Sequence, residues 1–172
     1  MKSRGFTLIE LVAVILIVAV LTAVALPRFL NLGTSSRIAA VNSLAGTVNT
    51  SLGLVHTVVY AQGAGTPSGI PGVTFVSMDG KAIRVWNSYP DRWCDGIGAM
   101  LANAVVPSGG CYLSTAAVPS TTFTFYGYSN ATIPNGDAGW RIETAPTPAQ
   151  CAVGYRYNGS GQPSVITYTS GC

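Results

Sequence analysis

The feature that most constrains this chain is an apolar run from Phe6 to Leu26 that contains a single acidic residue, Glu10. A helix of about 20 apolar residues matches the roughly 30 Å hydrocarbon core of a bilayer. A carboxylate inside that core costs on the order of 2.5–3.5 kcal/mol, and neither Lys nor Arg occurs within the run. The segment therefore needs a favourable partner for Glu10 from outside the run.

A short basic leader, Met-Lys-Ser-Arg-Gly, precedes the apolar run and ends at Gly5. Cleavage after Gly5 would leave Phe6 with a free amino group, four residues before Glu10. The terminal amine of a neighbouring copy would then be a suitable partner for this carboxylate. Because each such ion pair would stabilise the association of two copies in register, the pattern predicts a polymer of this chain.

The same residues carry a resemblance to a known family. The segment Gly5–Val12, with the sequence GFTLIELV, resembles the cleavage and methylation signature of type IV pilins and the related pseudopilins. The resemblance implies that a prepilin peptidase cuts after Gly5 and N-methylates Phe6. It also implies that Glu10 is the assembly glutamate and that Pro27 is the proline that kinks and interrupts the helix at the end of the apolar stretch.

Two further segments are similar to the mannose-sensitive haemagglutinin branch of type IVa pilins. They are Pro27–Leu32 and the C-terminal Cys151–Cys172 loop, which ends in Thr-Ser-Gly-Cys. The family resemblance implies a precursor in the bacterial inner membrane that becomes an extracellular pilus, or fimbrium. It implies as partners other copies of the chain, the prepilin peptidase and the pilus assembly machinery, and as roles adhesion, surface attachment or motility.

Three other interpretations of the N-terminus fit the sequence less well. An ordinary secretory signal peptide has a shorter apolar region, followed by a small-residue cleavage site that is not found after Leu26. A monomeric, membrane-anchored binding protein would not need Glu10. A type II secretion pseudopilin resembles this chain at the N-terminus but typically lacks a pair of C-terminal disulfides.

The four cysteines, in a chain with an export signature, predict two disulfides and an oxidising compartment. Three pairings are open. We favour the nearest-neighbour pairing, Cys94–Cys111 and Cys151–Cys172, because turn residues flank both short loops.

The charge of the chain is low. Only 9% of residues are charged, and the formal net charge is +3. Loss of Lys2 and Arg4 with the leader would leave seven basic and six acidic side chains, a balance of +1. No basic run occurs, so no nucleic-acid site is evident.

The predicted fold class is α+β, with a long N-terminal helix packed on a C-terminal antiparallel sheet of four or more strands. The helix should extend from Phe6 to about Ala61, apolar all round in its first half and amphipathic in its second. The predicted domains are a leader (1–5), an assembly or transmembrane helix (6–32) and a globular head (33–172). Alternating and β-branched patterns predict six strands, at Val73–Ser77, Lys81–Trp86, Thr122–Tyr128, Gly139–Thr144, Ala152–Asn158 and Ser164–Thr169, and Trp93–Val106 is a candidate short helix.

The candidate catalytic residues do not form the pattern of an enzyme active site. His56 is the only histidine and lies in the predicted helix, and no Gly-x-Ser-x-Gly segment accompanies it. Asp91 and Asp95 form a weak calcium pattern without further oxygen donors at fixed spacing. We therefore predict no catalytic, metal or cofactor site. A cluster of aromatic residues is a candidate surface for a glycan or other surface ligand, namely Phe123, Phe125, Tyr126, Tyr128, Tyr155, Tyr157 and Tyr168.

Overall fold

The computed structural model describes residues 6–100, 117–128 and 132–172. The chain divides into two compact units, one ending at Ser36 and the other comprising Arg37–Cys172. The first unit is helical from Leu8 onward, after the non-helical Phe6 and Thr7. The second contains the rest of the helix together with the β-strands, and we call it the head. The predicted α+β class, a long helix followed by antiparallel strands, is confirmed.

A single helix, α1, extends over Leu8–Gln62. The predicted span of Phe6 to about Ala61 is therefore correct to within two residues at each end. The backbone remains helical through Pro27, as a single long helix requires, and the kink expected at this residue stays a prediction. Proline lacks an N–H and removes one helical hydrogen bond, and the helix tolerates this single loss.

The amphipathic half of α1 buries the stripe that its periodicity predicts. Seven of these apolar residues are at most 9% exposed, and Ile38 at the start of the stripe is partly buried. Burial of each valine or leucine is worth roughly 1.5–3 kcal/mol, so the stripe is a major source of head stability. The seven buried residues are Val41, Leu44, Ala45, Val48, Leu52, Val55 and Val59.

The strands form two antiparallel sheets among the described residues, not the single sheet that was predicted. The first sheet has four strands in the order β1 to β4, at Thr66–Pro67, Val73–Met78, Lys81–Trp86 and Tyr89–Pro90. The second has five, in the order β5 to β9, at Ala117–Pro119, Thr124–Tyr126, Ala138–Arg141, Ala152–Arg156 and Ser164–Tyr168. Each of the six predicted strands overlaps an observed one, whereas β1, β4 and β5 were not predicted.

Turn chemistry sets the register of the first sheet. The predicted Asp79-Gly80 turn has positive φ at both residues, 49° and 73°, and pairs Met78 with Lys81. Asn87 and Ser88 also have positive φ, 44° and 73°, and join β3 to β4. Two successive positive φ values are typical of a type I′ turn, whose twist matches that of the flanking strands.

The two sheets cover successive segments of α1. Residues Val41–Leu52 of the helix share a core with the second sheet, including Phe125, Trp140 and Val153. Val55 and Val59 lie in a separate core with Val76, Ile83 and Val85 of the first sheet. The apolar stripe is therefore divided between two sheets, a division that the period of the helix does not reveal.

Three short 3₁₀ helices connect the strands, at Ile97–Met100, Pro134–Gly136 and Pro148–Gln150. The first lies within the predicted helix Trp93–Val106, of which residues 101–106 are outside the described part of the chain. Two backbone hydrogen bonds bring the segment around this 3₁₀ helix back to Asp91 and Arg84, from Ile97 N to Asp91 O (2.7 Å) and from Arg84 N to Asp95 O (2.8 Å).

A disulfide joins Cys151 and Cys172, as predicted. It closes a loop with a sequence separation of 21 residues, which by chain-entropy arguments contributes about 3 kcal/mol. The Arg37 Nε donates a hydrogen bond to the Cys172 carbonyl oxygen, so the end of this loop is also held by α1. The Cys94–Cys111 pairing stays a prediction, because Cys111 lies outside the described residues.

Candidate functional site

The first half of α1 presents an uncovered apolar surface. Its large apolar side chains from Leu8 to Val24 are between 40% and 80% exposed. The span Leu8–Ala25 has a mean hydropathy of 2.9, none of it is buried, and it is long and apolar enough to cross a membrane. Leu32–Gln62 also meets these criteria, at a mean hydropathy of 1.3, but its buried stripe packs on the head sheets. Of these two spans, the first has its apolar surface free for lipid or another protein.

Glu10 lies at the beginning of this span and is hydrogen-bonded within its own chain. Its Oε2 accepts hydrogen bonds from the backbone N–H and the hydroxyl of Thr7, each at 2.9 Å. The backbone N of Glu10 in turn donates to the Thr7 Oγ1 at 3.4 Å. This reciprocal arrangement is a capping box, in which the two side chains satisfy backbone N–H groups that the first turn of a helix leaves free.

The capping box is a contact that the sequence analysis did not predict. Thr7 supplies hydrogen bonds to Glu10 from within the apolar run, while the charge pair with a neighbouring copy stays a prediction. The Thr-x-x-Glu spacing in the sequence would have revealed this contact. Thr7 carries no charge, however, so the negative charge of Glu10 is solvated by dipoles and not neutralised.

The other N-terminal residues can be placed only in part. Phe6 is 86% exposed, next to the capping threonine. Gly5, the predicted cleavage residue, lies outside the described residues. Pro27 lies within the helix, and its backbone is helical. The structure thus brings Phe6 and Glu10 to the same end of α1, with Pro27 about five turns further along the helix.

His56 has structural contacts in the described part of the head. Its Nδ1 is 3.1 Å from the Ser88 carbonyl oxygen, to which the ring N–H donates. The ring stacks on Tyr89 at 4.4 Å and meets Tyr60 edge-on at 4.8 Å. These contacts hold the β3–β4 turn against the helix. They explain His56 without a catalytic role.

Asp91 belongs to a buried ion pair. Its Oδ2 lies 2.8 Å from Arg84 Nε, and the two side chains are only 3% and 7% exposed. Burial raises the pKa of the Asp91 carboxyl, while the Arg84 charge and the Arg92 backbone N–H lower it. Burial likewise raises the pKa of Asp95, which the Arg84 charge opposes. The described residues contain no group of three or more potential metal-ligating side chains, and the Asp91 carboxylate is already engaged with an arginine.

The predicted aromatic cluster divides between core and surface. Phe125 and Tyr155 are buried, and the Tyr155 hydroxyl donates to the Pro90 carbonyl at 2.6 Å, linking the two sheets. Tyr157 donates to the Trp86 carbonyl at 2.8 Å, and burial raises its pKa to about 12. Tyr126 and Tyr128 are half-buried, each under an arginine guanidinium. Of the seven rings in the cluster, three are therefore core residues, and the other four, which include Phe123 and Tyr168, are half-buried.

Comparisons with known proteins agree with the N-terminal geometry. The family model described as the prokaryotic N-terminal methylation motif matches residues 1–26. The chain is 37% identical over 102 residues to the Type IV narrow pilus major component PilA5 of Thermus thermophilus, covering 54% of this chain and 86% of that protein. No solved structure matches the chain significantly. Together, the methylation motif and this relative show that the chain belongs to the type IV pilin family.

Proposed function

We propose that this protein is a structural subunit of an extracellular type IV pilus, which polymerises through the first half of α1. In this proposal residues 1–5 are removed, residues 6–32 form the assembly and transmembrane helix, and residues 33–172 form the head. Type IV pilins are structural proteins, and we assign no catalytic role to any residue. The observation that carries the proposal is the wholly exposed apolar span Leu8–Ala25 in a member of this family.

Burial of this span provides the driving force for assembly. Before assembly, the inner membrane is the natural solvent for its side chains. In a filament, neighbouring helices would replace the lipid. Van der Waals packing and polar contacts between helices would then favour the polymer. The head would face outward and mediate adhesion, surface attachment or motility.

Glu10 would set the register of the polymer. The Thr7 hydrogen bonds solvate its carboxylate without neutralising it. After cleavage by the prepilin peptidase, the methylated amine of Phe6 from a neighbouring copy would supply the missing positive charge. A charge-assisted bond in a dry environment is stronger than a neutral one, so the correctly registered contact would be favoured over its alternatives.

The test is electron microscopy of shear-released surface material together with N-terminal mass spectrometry. We expect long fibres of this chain that begin at methylated Phe6. A processed chain that stays in the membrane fraction without fibres would contradict the proposal. It would favour a secretion pseudopilin or a membrane-anchored monomer instead.

Glu10→Ala tests the assembly step directly. We expect fibres to be lost while the precursor still accumulates in the membrane. Glu143→Ala is the matched control, since it removes an exposed acid from the head. Fibre formation by Glu10→Ala at the level of the control would rule out Glu10 as the assembly residue.

A further inference from the structure

A polar cavity of about 430 Å³ opens in the head beside the end of β8 and the beginning of β9. Its size is within the range typical of small-ligand pockets. Its lining contains no aliphatic side chain and consists of Arg92, Tyr128, Asn135, Asp137, Arg156, Tyr157, Asn158, Ser160, Gln162 and Ser164. Such a lining offers hydrogen bonds and ring surface but no apolar pocket for a lipid chain or an aliphatic side chain.

Arg92 is held rigidly in the wall of this cavity. Its guanidinium carbon lies 3.2 Å from the centroid of the Tyr128 ring and 5.5 Å from that of Trp86. Its Nη1 donates to the Tyr157 carbonyl at 3.2 Å, and its backbone N donates to the Asp91 Oδ1 at 2.7 Å. Because the two rings and the Tyr157 carbonyl already restrict the guanidinium, binding of a ligand would cost little further ordering of this side chain.

The charge of Arg92 is not balanced by a salt bridge in the described part of the chain, where the ion pairs join Arg84–Asp91, Arg141–Glu143 and Arg156–Asp137. Within those residues, its buried Nε also has no hydrogen-bond acceptor. The Nε has less than 1 Å² of exposed surface, so it adds to the positive potential of the cavity wall without itself reaching a ligand. The site therefore favours an acceptor that carries negative charge.

The second arginine of the cavity has its own carboxylate. Arg156 bonds Asp137 through Nε and Nη2, at 3.1 and 2.9 Å to the Asp137 Oδ2. This pair cancels its own charge, and the two arginines and one aspartate leave the lining at +1. The excess positive charge of the cavity is thus that of Arg92.

We propose that this cavity binds a saccharide that carries a carboxylate, with the carboxylate at Arg92. The amides of Asn158 and Gln162 and the hydroxyl of Ser164 would bond the sugar hydroxyls, since amide groups present a donor and an acceptor together. The inference deepens the adhesive role within the proposed function and names its ligand class. It is tested on monomers, so that its failure can be told apart from a failure to form fibres.

The experiment is isothermal titration calorimetry on the full-length chain in detergent micelles. The acidic probes are sialyllactose and cellobiouronic acid, and lactose and cellobiose are their neutral counterparts. We expect at least one acidic probe to bind about tenfold or more tightly than its neutral counterpart, as expected for a charge-assisted hydrogen bond. No binding of either acidic probe, equal binding of the neutral counterpart, or equal binding of inorganic phosphate would overturn the proposal.

Two variants with a matched control locate the site. Arg92→Gln should weaken binding of the acidic probe by about tenfold or more. Arg141→Gln makes the same charge change on β7, away from the cavity, and should leave binding of the acidic probe unchanged. Gln162→Glu puts a negative charge at the exposed rim of the cavity and leaves the Arg92 contacts in place, so it should also weaken binding of the acidic probe. This variant keeps the proposal testable if Arg92→Gln fails to fold. Unchanged binding in Gln162→Glu, or in a folded Arg92→Gln, would overturn the site.

Discussion

Glu10 and Asp91 show how differently the two units of this protein accommodate a carboxylate. Glu10 is hydrogen-bonded by Thr7, three residues away, and its charge has no cationic partner among the described residues. Asp91 is buried against Arg84 and also bonds the backbone of Arg92. The head therefore neutralises Asp91 internally, whereas the described part of the N-terminal unit provides Glu10 with hydrogen bonds only. Under the proposed function, the amine of a neighbouring copy would supply the charge that Glu10 lacks.

The apolar side chains of α1 show the same contrast. Val14 is 52% exposed, while Val48 in the same helix is completely buried. Helix propensity does not distinguish the two valines, because both occupy helix interiors. What differs is the presence of sheets that cover the second half of α1 in the head.

The largest expected effect comes from breaking the buried ion pair. Arg84→Met should destabilise the head by about 3–5 kcal/mol, because it leaves Asp91 buried without its cation. Urea unfolding of the full-length chain in detergent, followed by tryptophan fluorescence, measures this, since Trp86, Trp93 and Trp140 are all in the head. Arg141→Met, which breaks the more exposed pair with Glu143, should cost only about 0–1 kcal/mol. Equal losses of unfolding free energy in the two variants would show that the buried ion pair matters no more to stability than the exposed one.

A pair of valine truncations tests the contrast along α1. Val48→Ala should lower the free energy of unfolding of the head by about 2 kcal/mol, from lost burial and the resulting cavity. Val14→Ala should leave the same fluorescence transition unchanged, since its side chain contributes nothing to the head core. A comparable shift from Val14→Ala would show that the first half of the helix also stabilises the head.

The smallest effect is expected at the capping box. Thr7→Ala should weaken the first turn of α1 by about 1 kcal/mol and leave head unfolding unchanged. Hydrogen exchange over residues 6–12 should become faster. Thr22→Ala is the control, because the Thr22 hydroxyl bonds the Val18 carbonyl in mid-helix and caps nothing. Unaltered exchange near Glu10 in Thr7→Ala would argue against the capping box.

Much of the fold could be predicted because its signals are local. The stripe from Val41 to Val59 follows the helical period, and the turn at Asp79-Gly80 follows from residues that tolerate positive φ. Strands β1 and β4 escaped prediction because each is only two residues long. The helix continues through Pro27, as the predicted span from Phe6 to about Ala61 requires.

The two candidate sites also differ in how far the sequence could predict them. The N-terminal site could be recognised from adjacent residues, and even the missed Thr7 contact has a short-range spacing signal. The cavity at Arg92 has no such signal, since its lining comes from separate parts of the chain between Arg92 and Ser164. Two of the clustered aromatic residues, Tyr128 and Tyr157, line this cavity, but the sequence did not indicate which of the rings are buried.

By itself, the sequence determined the long helix, its apolar and amphipathic halves, the cleavage signature and most of the strands. These depend on periodicity and on spacings of a few residues. Only the tertiary structure decided that the strands form two sheets, that Asp91 is neutralised by Arg84, and that Arg92 lines a polar cavity. The physical reason is that these features depend on contacts between residues distant in sequence. They also depend on which charged side chains are desolvated when the two hydrophobic cores form.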